Sequence, residues 1–490
     1  MTFSSMFFIL GFLPAFFLIY KIFPKQSSRN VILLLFSILF YLFGGLRFLI
    51  LLIAEAFIGW VFGLRIEKSA GKKRLQSGLL AISVLIFLAI LGGFKYTDFI
   101  FSNLNEAFGA RLTVPSVALP LGISFYTFKL ISYAADVYHD RVSAQKSFPV
   151  FLTYVICFHT ILQGPIVRYT DMRKELDNRI MDRRTFSEGM YRFSLGLAKK
   201  TILADHMGTL ADQLFPASRG IAAVSPASAI LGSICFTLQM YLDFSAYSDM
   251  AIGLGRAVGF HYKENFKYPY IATSVKDFWR RWHISLSSFF RDYVYIPLGG
   301  NRRGFARQTL NLLAVWLLTG LWHGADWNFI LWGLYYFVFI FLENLVARLR
   351  KGRAENSGVT SHAAPSIPAR ILGHLYTILV FNFGWVIFRF TDFKQLKTAL
   401  SHFLNWSSGW QDVSILLTVK NNLFILILCV LVSTPLFSAL SHRAEIRMQE
   451  KRVSKNGFYA VRLAFAGICF VLAICALAGT TYHPFLYNQF

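Results

Sequence analysis

The stretch from Leu310 to Glu343 constrains the fold of this 490-residue chain more than any other part of it. Two apolar runs flank a short polar segment, Trp322 to Asn328, which reads WHGADWN and is called the polar turn below. The polar turn carries an imidazole, a carboxylate and an amide. Hydrocarbon excludes such groups, so polar side chains at membrane depth mark a functional site by default.

Composition places the whole chain among polytopic helical membrane proteins. Hydrophobic residues make up 55% of the sequence and charged residues only 15%, whereas a soluble domain carries about 25% charged residues. Apolar runs long enough to cross a bilayer recur along the chain. We predict an all-α fold of about 11 transmembrane helices, with additional re-entrant or in-plane helices.

The formal charge of +24 comes from Lys and Arg clusters that lie between the apolar runs. Such clusters are typical of cytoplasmic loops, so the charge indicates membrane orientation and no nucleic-acid partner. Residues 256–307 form the longest of these basic regions, predicted to be a cytoplasmic-side amphipathic or re-entrant segment. Residues 348–370, which are also rich in Gly, Ser and Pro, are predicted to form a flexible cytoplasmic loop.

Both ends of the chain lack basic residues, so both termini are predicted to lie outside the cytoplasm. The five cysteines form no CxxC pair, and they lie in apolar surroundings. They therefore indicate packing rather than a disulfide or a metal site. We expect no metal and no bound cofactor.

His323 is the first candidate catalytic residue, because imidazole transfers protons readily near neutral pH. The apolar arm before the polar turn, Leu310 to Leu321, has about 12 residues and would extend roughly 18 Å as a helix. A bilayer core of about 30 Å is thicker than that, so the polar turn is expected within the membrane. Trp322, Asp326 and Asn328 are expected to support His323, the last two by orienting it or a water molecule.

A second candidate region runs from Lys276 to Arg302. One interpretation is an interfacial amphipathic helix whose arginines reach toward the lipid headgroups. The alternative is a site in which Arg280, Arg281 and Arg291 bind a phosphate-rich cytoplasmic ligand. His283 and Ser287, four residues apart, are expected on one helix face.

The sequence contains no Walker loop, no HExxH and no GxSxG, which excludes ATP-driven pumping and the commoner hydrolase types. A transporter or channel is the competing class, with Gln239, Asp243 and His323 along a substrate path. No inverted repeat is visible in the sequence, and this weighs against a transporter or channel.

Two long segments resemble the membrane-bound O-acyltransferase (MBOAT) family, and in particular its bacterial alginate O-acetyltransferase branch. They are DFWRRWHISLSSFFRDYVYIPLGGNR (277–302) and LTGLWHGADWNFILWGLYY (318–336). The related teichoic-acid D-alanylation transferase shares the PLGGNR and WHG elements. The similarity extends over nearly the whole chain, so residues 1–490 are expected to form a single MBOAT domain, with helices around a central funnel.

The resemblance implies an acetyltransferase of the bacterial cytoplasmic (inner) membrane with both termini in the periplasm. It implies cytoplasmic acetyl-CoA as the donor, His323 as the essential histidine and His283 as a second important one. The final acceptor would be a polysaccharide, either an alginate-like exopolysaccharide or peptidoglycan, reached through a periplasmic SGNH or esterase-like acetyltransferase. Tyr487 is the candidate acyl relay, although Asn488 replaces an aromatic residue of the family's C-terminal motif.

Overall fold

The computed structural model describes residues 1–115, 117–217, 220–357, 366–404, 413–450 and 455–479. All regular secondary structure within these ranges is helical, as the composition predicts. The chain divides into two compact units. The first unit comprises Met1–Ala198, Ala246–Glu264 and the described residues from Leu463 onward, and the second comprises Lys199–Ser245 and Asn265–Arg462.

The first unit is built from the N-terminal helices. A π-helical turn, Phe8–Phe12, leads into the first of them. Gly45, at φ +111°, separates the second and third helices. The helices of the first unit are α1 (Leu13–Ile22), α2 (Gln26–Leu42), α3 (Leu46–Lys68), α4 (Lys73–Lys95), α5 (Thr97–Phe108), α6 (Ile123–Tyr138), α7 (Phe148–Ile156), α8 (Tyr169–Asp177) and α9 (Arg183–Ala198).

The second unit contains both stretches that sequence analysis singled out. A π-helical segment, Lys199–Ala204, opens it, and a second one spans Arg291–Tyr295. The long helix that starts at Pro226 ends in the first unit, and the last described helix belongs to the first unit from Leu463. The remaining helices are α10 (Asp205–Leu214), α11 (Pro226–Ala257), α12 (Val275–Arg281), α13 (Ile284–Phe290), α14 (Gly304–His323), α15 (Trp327–Ser357), α16 (Ile367–Arg389), α17 (Phe393–Leu404), α18 (Val413–Val432), α19 (Leu436–Glu450) and α20 (Lys455–Gly479).

Seven of the described helices are long and apolar enough to cross a membrane: α3, α4, α11, α15, α16, α18 and α20. Two shorter apolar stretches, Phe8–Ile22 and Gln26–Leu42, add to them. The chain is therefore a multi-pass membrane protein. The count of about 11 crossings stays a prediction.

Helices α14 and α15 form a tight antiparallel hairpin around the polar turn. A Cβ added at Gly320 would lie 2.3 Å from the carbonyl oxygen of Phe329, and one at Gly333 would lie 2.4 Å from that of Trp316. Only glycine allows the two backbones to approach this closely. The hairpin fixes where α14 ends, and therefore where His323 lies.

The expected length of the arm before the polar turn is wrong. Helix α14 begins at Gly304 and has 20 residues, which corresponds to about 30 Å. Residues 304–307 lie in the basic region 256–307, but they form the start of the helix. The arm is long enough to cross a bilayer, so its length does not place the polar turn within the membrane.

The predicted flexible loop at 348–370 is also only partly correct. Helix α15 continues to Ser357, and α16 starts at Ile367 with Ser366 accepting a hydrogen bond from the Ala369 backbone N–H. The run of Arg, Lys, Ala and Glu after residue 348 has high helix propensity, which explains the longer helix. Residues 358–365 lie outside the described part of the chain.

Candidate active site

His323 is the last residue of α14 and is 5% exposed. The helix ends there because Gly324 adopts an extended backbone, with φ −167° and ψ 166°. The imidazole packs edge-on against Trp332, at 4.8 Å between ring centroids, and against Phe388, at 5.3 Å. Its neighbour Trp322 lies 5.0 Å away on a third side. Three helices, α14, α15 and α16, therefore enclose this histidine in aromatic rings.

His283 lies between α12 and α13 and is 1% exposed. Its backbone is left-handed, with φ 43° and ψ 55°, a conformation that is uncommon and strained for a residue other than glycine. The predicted pairing of His283 and Ser287 on one helix face is therefore wrong, because the chain breaks at Trp282 and only Ser287 belongs to α13. The break turns the imidazole inward, against the ring of Phe244 at 4.7 Å.

Hydrogen bonds to one buried asparagine, Asn265, hold His283 in place. The Asn265 side-chain oxygen Oδ1 lies 3.2 Å from His283 Nδ1, and it accepts hydrogen bonds from the backbone N–H and the hydroxyl of Ser285. The Asn265 carbonyl accepts from the Ile284 N–H at 2.9 Å. The other ring nitrogen, Nε2, is buried and has no hydrogen-bond partner among the described residues. His283 lies outside the seven apolar spans, and burial lowers its pKa to about 3.

Trp322 joins the two histidines. Its ring centroid lies 5.9 Å from that of His283 and 5.0 Å from that of His323. Both histidines and the tryptophan belong to the second unit. The structure thus brings together the two segments that the sequence analysis selected separately, and one indole contacts both imidazoles.

Asn328 connects the polar turn to α16. Its side-chain amide donates to the carbonyl oxygens of Ile387, at 3.3 Å, and Phe388, at 3.1 Å. It therefore binds the C-terminal end of α16, which carries the Phe388 ring that packs against His323. Its expected role in orienting His323 or a water molecule stays a prediction. Asp326 is exposed, and its backbone carbonyl accepts the Phe329 N–H.

The three arginines predicted to bind a ligand differ in their partners. Arg281 pairs with Asp277 at 3.0 Å, and Arg291 pairs with its neighbour Asp292 at 2.7 Å. Arg280 is exposed on α12. Two of the three guanidinium groups are therefore already bound to carboxylates.

The start of α12 is held by Ser274 and by Glu343 of α15. Ser274 Oγ accepts the Asp277 N–H, and the Glu343 carboxylate accepts the N–H groups of Val275 and Lys276. A carboxylate at a helix N-terminus satisfies unpaired donors and interacts well with the helix dipole. This contact fixes α12, and with it the arginines, to the long helix α15.

Asp243, predicted to lie on a transport path, is part of a buried ion-pair cluster. Lys200 of the π-helical segment lies 2.8 Å from Asp243 and 2.6 Å from Asp205. The side chains of Lys200 and Asp243 are 2% and 3% exposed. The carboxylate that sequence analysis found in an apolar helix therefore has a lysine counter-ion.

Sequence reasoning missed Asn265, Phe244, Trp332 and Phe388, all of which contact a candidate histidine. Asn265 lies 18 residues before His283, with no local pattern to connect them. The aromatic density around 322–332 and 384–390 was visible, but periodicity does not tell which rings face a histidine. Tyr487, the candidate acyl relay, lies outside the described residues.

Comparison with known proteins identifies the family of the chain. The family model for MBOAT, the membrane-bound O-acyltransferase family, matches residues 117–358, a range that contains both histidines. A probable alginate O-acetylase of Azotobacter vinelandii is 37% identical over 414 residues, which cover 83% of this chain and 79% of the relative. A probable alginate O-acetylase of Pseudomonas putida is 34% identical over an alignment of 505 positions that covers all of both chains.

A third relative carries a different name. The peptidoglycan O-acetyltransferase of Helicobacter pylori is 33% identical over 433 residues, which cover 82% of this chain and 78% of that protein. These matches confirm the prediction of an acyltransferase over that of a transporter. The chain belongs to the membrane-bound O-acyltransferase family and is a multi-pass membrane O-acetyltransferase.

Proposed function

We propose that this enzyme transfers acetyl from cytoplasmic acetyl-CoA, across the bacterial inner membrane, for the O-acetylation of an extracytoplasmic polysaccharide. The observation that carries the proposal is the packing of His283 and His323 around Trp322, in a buried aromatic enclosure. The enclosure supplies two imidazoles and excludes water, which protects a thioester from hydrolysis.

His323 acts as the general base in this reaction. It removes the proton of an acceptor hydroxyl, whose oxygen attacks the acetyl carbonyl. The carbon–oxygen bond of the new ester forms, the carbon–sulfur bond of the thioester breaks, and the proton passes to the departing CoA thiolate. The first acceptor hydroxyl belongs to Tyr487 or to a partner protein.

The donor binds on the basic face of the 256–307 segment. Arg280 is the best placed of the three candidate arginines, because it is exposed, whereas Arg281 and Arg291 already hold carboxylates. A guanidinium group binds phosphate oxygens in a planar, two-point arrangement that suits the CoA diphosphate. The anchoring of α12 through Glu343 keeps this arginine in register with the hairpin that carries His323.

The final acceptor is an alginate-like exopolysaccharide, because the names of relatives at 37% and 34% identity state alginate O-acetylation. A periplasmic SGNH or esterase-like acetyltransferase completes the transfer, and both termini of the chain face the periplasm. Peptidoglycan is the second candidate, favoured by the relative from Helicobacter pylori.

Replacement of His323 tests the proposal. Purified protein in proteoliposomes is given labelled acetyl-CoA, and His323→Ala should reduce acetyl transfer by at least about 100-fold, the usual contribution of a general base. His442→Ala is the matched control, because His442 is exposed on α19 and its loss should leave transfer unchanged. Transfer by His323→Ala at the wild-type rate, with equal amounts of protein in the membrane, would overturn the mechanism.

The acceptor is identified in cells. In a host without its own transferase, ester-linked acetate is released by mild base from the exopolysaccharide and from the peptidoglycan, and is counted separately. Acetate on the exopolysaccharide alone supports the first candidate, and acetate on peptidoglycan alone replaces it with the second.

A further inference from the structure

We infer that Asn265 is a positioning residue that fixes the tautomer of His283, placing the ring proton on Nδ1 and leaving Nε2 as a hydrogen-bond acceptor. This inference rests on the proposed function, because it assigns a role within the same site. Asn265 is completely buried and His283 is 1% exposed, so neither group exchanges its partners with water.

The orientation of the Asn265 amide follows from the backbone. The Ser285 N–H lies 3.2 Å from the asparagine atom assigned as Oδ1. A backbone N–H is always a donor, so it must face an oxygen and not the amide NH2 group. The Ser285 hydroxyl, at 2.8 Å from the same atom, donates to it as well. The assignment of the oxygen and nitrogen atoms of an asparagine amide often needs inference. Here the Ser285 backbone N–H settles it, because this group can only donate.

The tautomer of His283 follows in turn. Its Nδ1 faces Asn265 Oδ1 at 3.2 Å and the oxygen of Ser285 at 3.4 Å. Asn265 Oδ1 is an acceptor, and the Ser285 hydroxyl proton already points toward it. Both neighbours of Nδ1 therefore present lone pairs, so Nδ1 carries the proton. In a neutral imidazole the other nitrogen is then unprotonated.

Within the part of the chain that the structure describes, Nε2 of His283 is buried without a hydrogen-bond partner, as expected for an atom that accepts a hydrogen bond from a substrate. An unprotonated Nε2 accepts a hydrogen bond from a hydroxyl or a thiol, and it has no proton to donate to a carbonyl oxygen. His283 thus accepts a hydrogen bond from the acceptor hydroxyl or from the CoA thiol, and it does not donate one to the thioester carbonyl.

Asn265 also holds the backbone in the shape that this arrangement needs. Its main-chain oxygen accepts the Ile284 N–H at 2.9 Å, and its side-chain oxygen accepts the next N–H, that of Ser285. These two contacts flank the left-handed residue His283, whose φ is 43°. One asparagine therefore supports both the turn and the ring.

The test is the ¹⁵N NMR spectrum of the full-length, detergent-solubilised protein labelled at histidine, with the His283 signal assigned by comparison with His283→Gln. The wild-type enzyme should show a protonated Nδ1 and an unprotonated Nε2 at His283. Asn265→Leu, similar in size but without the acceptor, should lose this single tautomer. Asn265→Asp keeps an acceptor oxygen and should keep the tautomer.

Asn311→Leu is the matched control. Asn311 is also buried in the second unit, but its amide donates to the Gly300 carbonyl, so its loss should leave the His283 signal unchanged. The inference is overturned if the wild-type His283 carries its proton on Nε2. It is also overturned if the tautomer is unaltered in Asn265→Leu.

Kinetics give the second readout. Asn265→Leu should lower turnover by between about tenfold and 10⁴-fold, the larger figure being that of a serine protease whose histidine is held in the wrong tautomer. The KM for acetyl-CoA should change little, and Asn265→Asp should restore much of the turnover. The NMR measurement needs no acetyl donor, so failure of the inference is distinguishable from failure of the proposed reaction.

Discussion

The ring of Trp322 lies 5.9 Å from the ring of His283, at an interplanar angle of 64°. Trp322 precedes His323 in the chain, and its ring centroid lies 5.0 Å from that of His323, so one indole contacts both imidazoles of the site. The indole contacts them through ring faces and edges, which constrain orientation as well as separation.

Truncation of this tryptophan should therefore damage activity and stability together. Trp322→Ala should lower the free energy of unfolding by about 3–5 kcal/mol through loss of buried aromatic area, and it should reduce acetyl transfer sharply. Trp322→Phe keeps a ring in the same place and should retain most of both. Thermal unfolding in detergent and labelled acetyl-CoA consumption measure the two effects.

The control for this prediction lies in the same turn. Trp327 is 51% exposed, and Trp327→Ala should change both quantities little. If Trp322→Ala has full activity, the indole does not set the geometry of the histidines.

The fold class and the choice of His323 as a candidate could be derived from the sequence, because each rests on a local pattern, whereas His283 was indicated by the family resemblance. Apolar runs identify membrane helices by length, and the glycine pair at 44–45 interrupts one run. His323 attracted attention because a polar turn between apolar helices is chemically unusual. None of these conclusions required knowledge of which helices pack together.

The partners of these residues could not be predicted, because they come from distant parts of the chain. Asn328 binds the end of α16, at Ile387 and Phe388, whereas the sequence suggested His323 or a water molecule as its partner. Asn265 reaches His283 across a loop and a helix. The start of α14 was placed too late because a helix that begins with polar residues looks like a loop until its packing is known.

The hairpin of α14 and α15 should not tolerate a methyl group at its crossing point. Gly333→Ala would place a Cβ 2.4 Å from the Trp316 carbonyl oxygen, and backbone atoms there have no room to move without shifting α14. We expect Gly333→Ala to lower the free energy of unfolding several times more than an ordinary helix substitution does. It should also reduce activity by displacing His323. The measurements are thermal unfolding and acetyl transfer.

Gly467→Ala provides the comparison. Gly467 lies within α20, and no described residue outside its own helical backbone comes within 4 Å of a Cβ added there, so alanine should be neutral or stabilise the helix by about 1 kcal/mol. Equal effects of the two substitutions would show that the approach of α14 to α15 is looser than the structure indicates.

The buried cluster of Lys200, Asp205 and Asp243 should respond unequally to loss of its members. Lys200→Met removes the counter-ion of two carboxylates, and loss of one partner of a buried ion pair costs about 3–5 kcal/mol. Asp243→Asn leaves Lys200 paired with Asp205 at 2.6 Å, so it should be milder. The readouts are the amount of folded protein in membranes and the thermal midpoint in detergent.

An exposed ion pair gives the baseline for this comparison. The Lys263 side chain is 79% exposed beside Asp171, and Lys263→Met should cost less than about 1 kcal/mol. An Asp243→Asn variant that is as unstable as Lys200→Met would mean that the pair with Asp205 contributes nothing.

The stability of the protein should fall in mild acid partly because of His283. Burial lowers the pKa of this imidazole to about 3, whereas an unfolded chain returns it to about 6.5. Between these values the unfolded state binds a proton that the folded state excludes, so the free energy of unfolding decreases as pH falls below about 6.5, by up to about 1.4 kcal/mol per pH unit. The contribution is fully present above that pH.

His283→Gln should remove this slope, because glutamine does not titrate. Thermal midpoints at pH 7.5 and pH 5 should therefore differ less in His283→Gln than in the wild-type protein. His442→Gln, at an exposed position, should keep the wild-type difference. Parallel pH profiles for His283→Gln and the wild type would show that His283 takes up a proton without cost in the folded protein, and that its ring is open to water or to a buried acid.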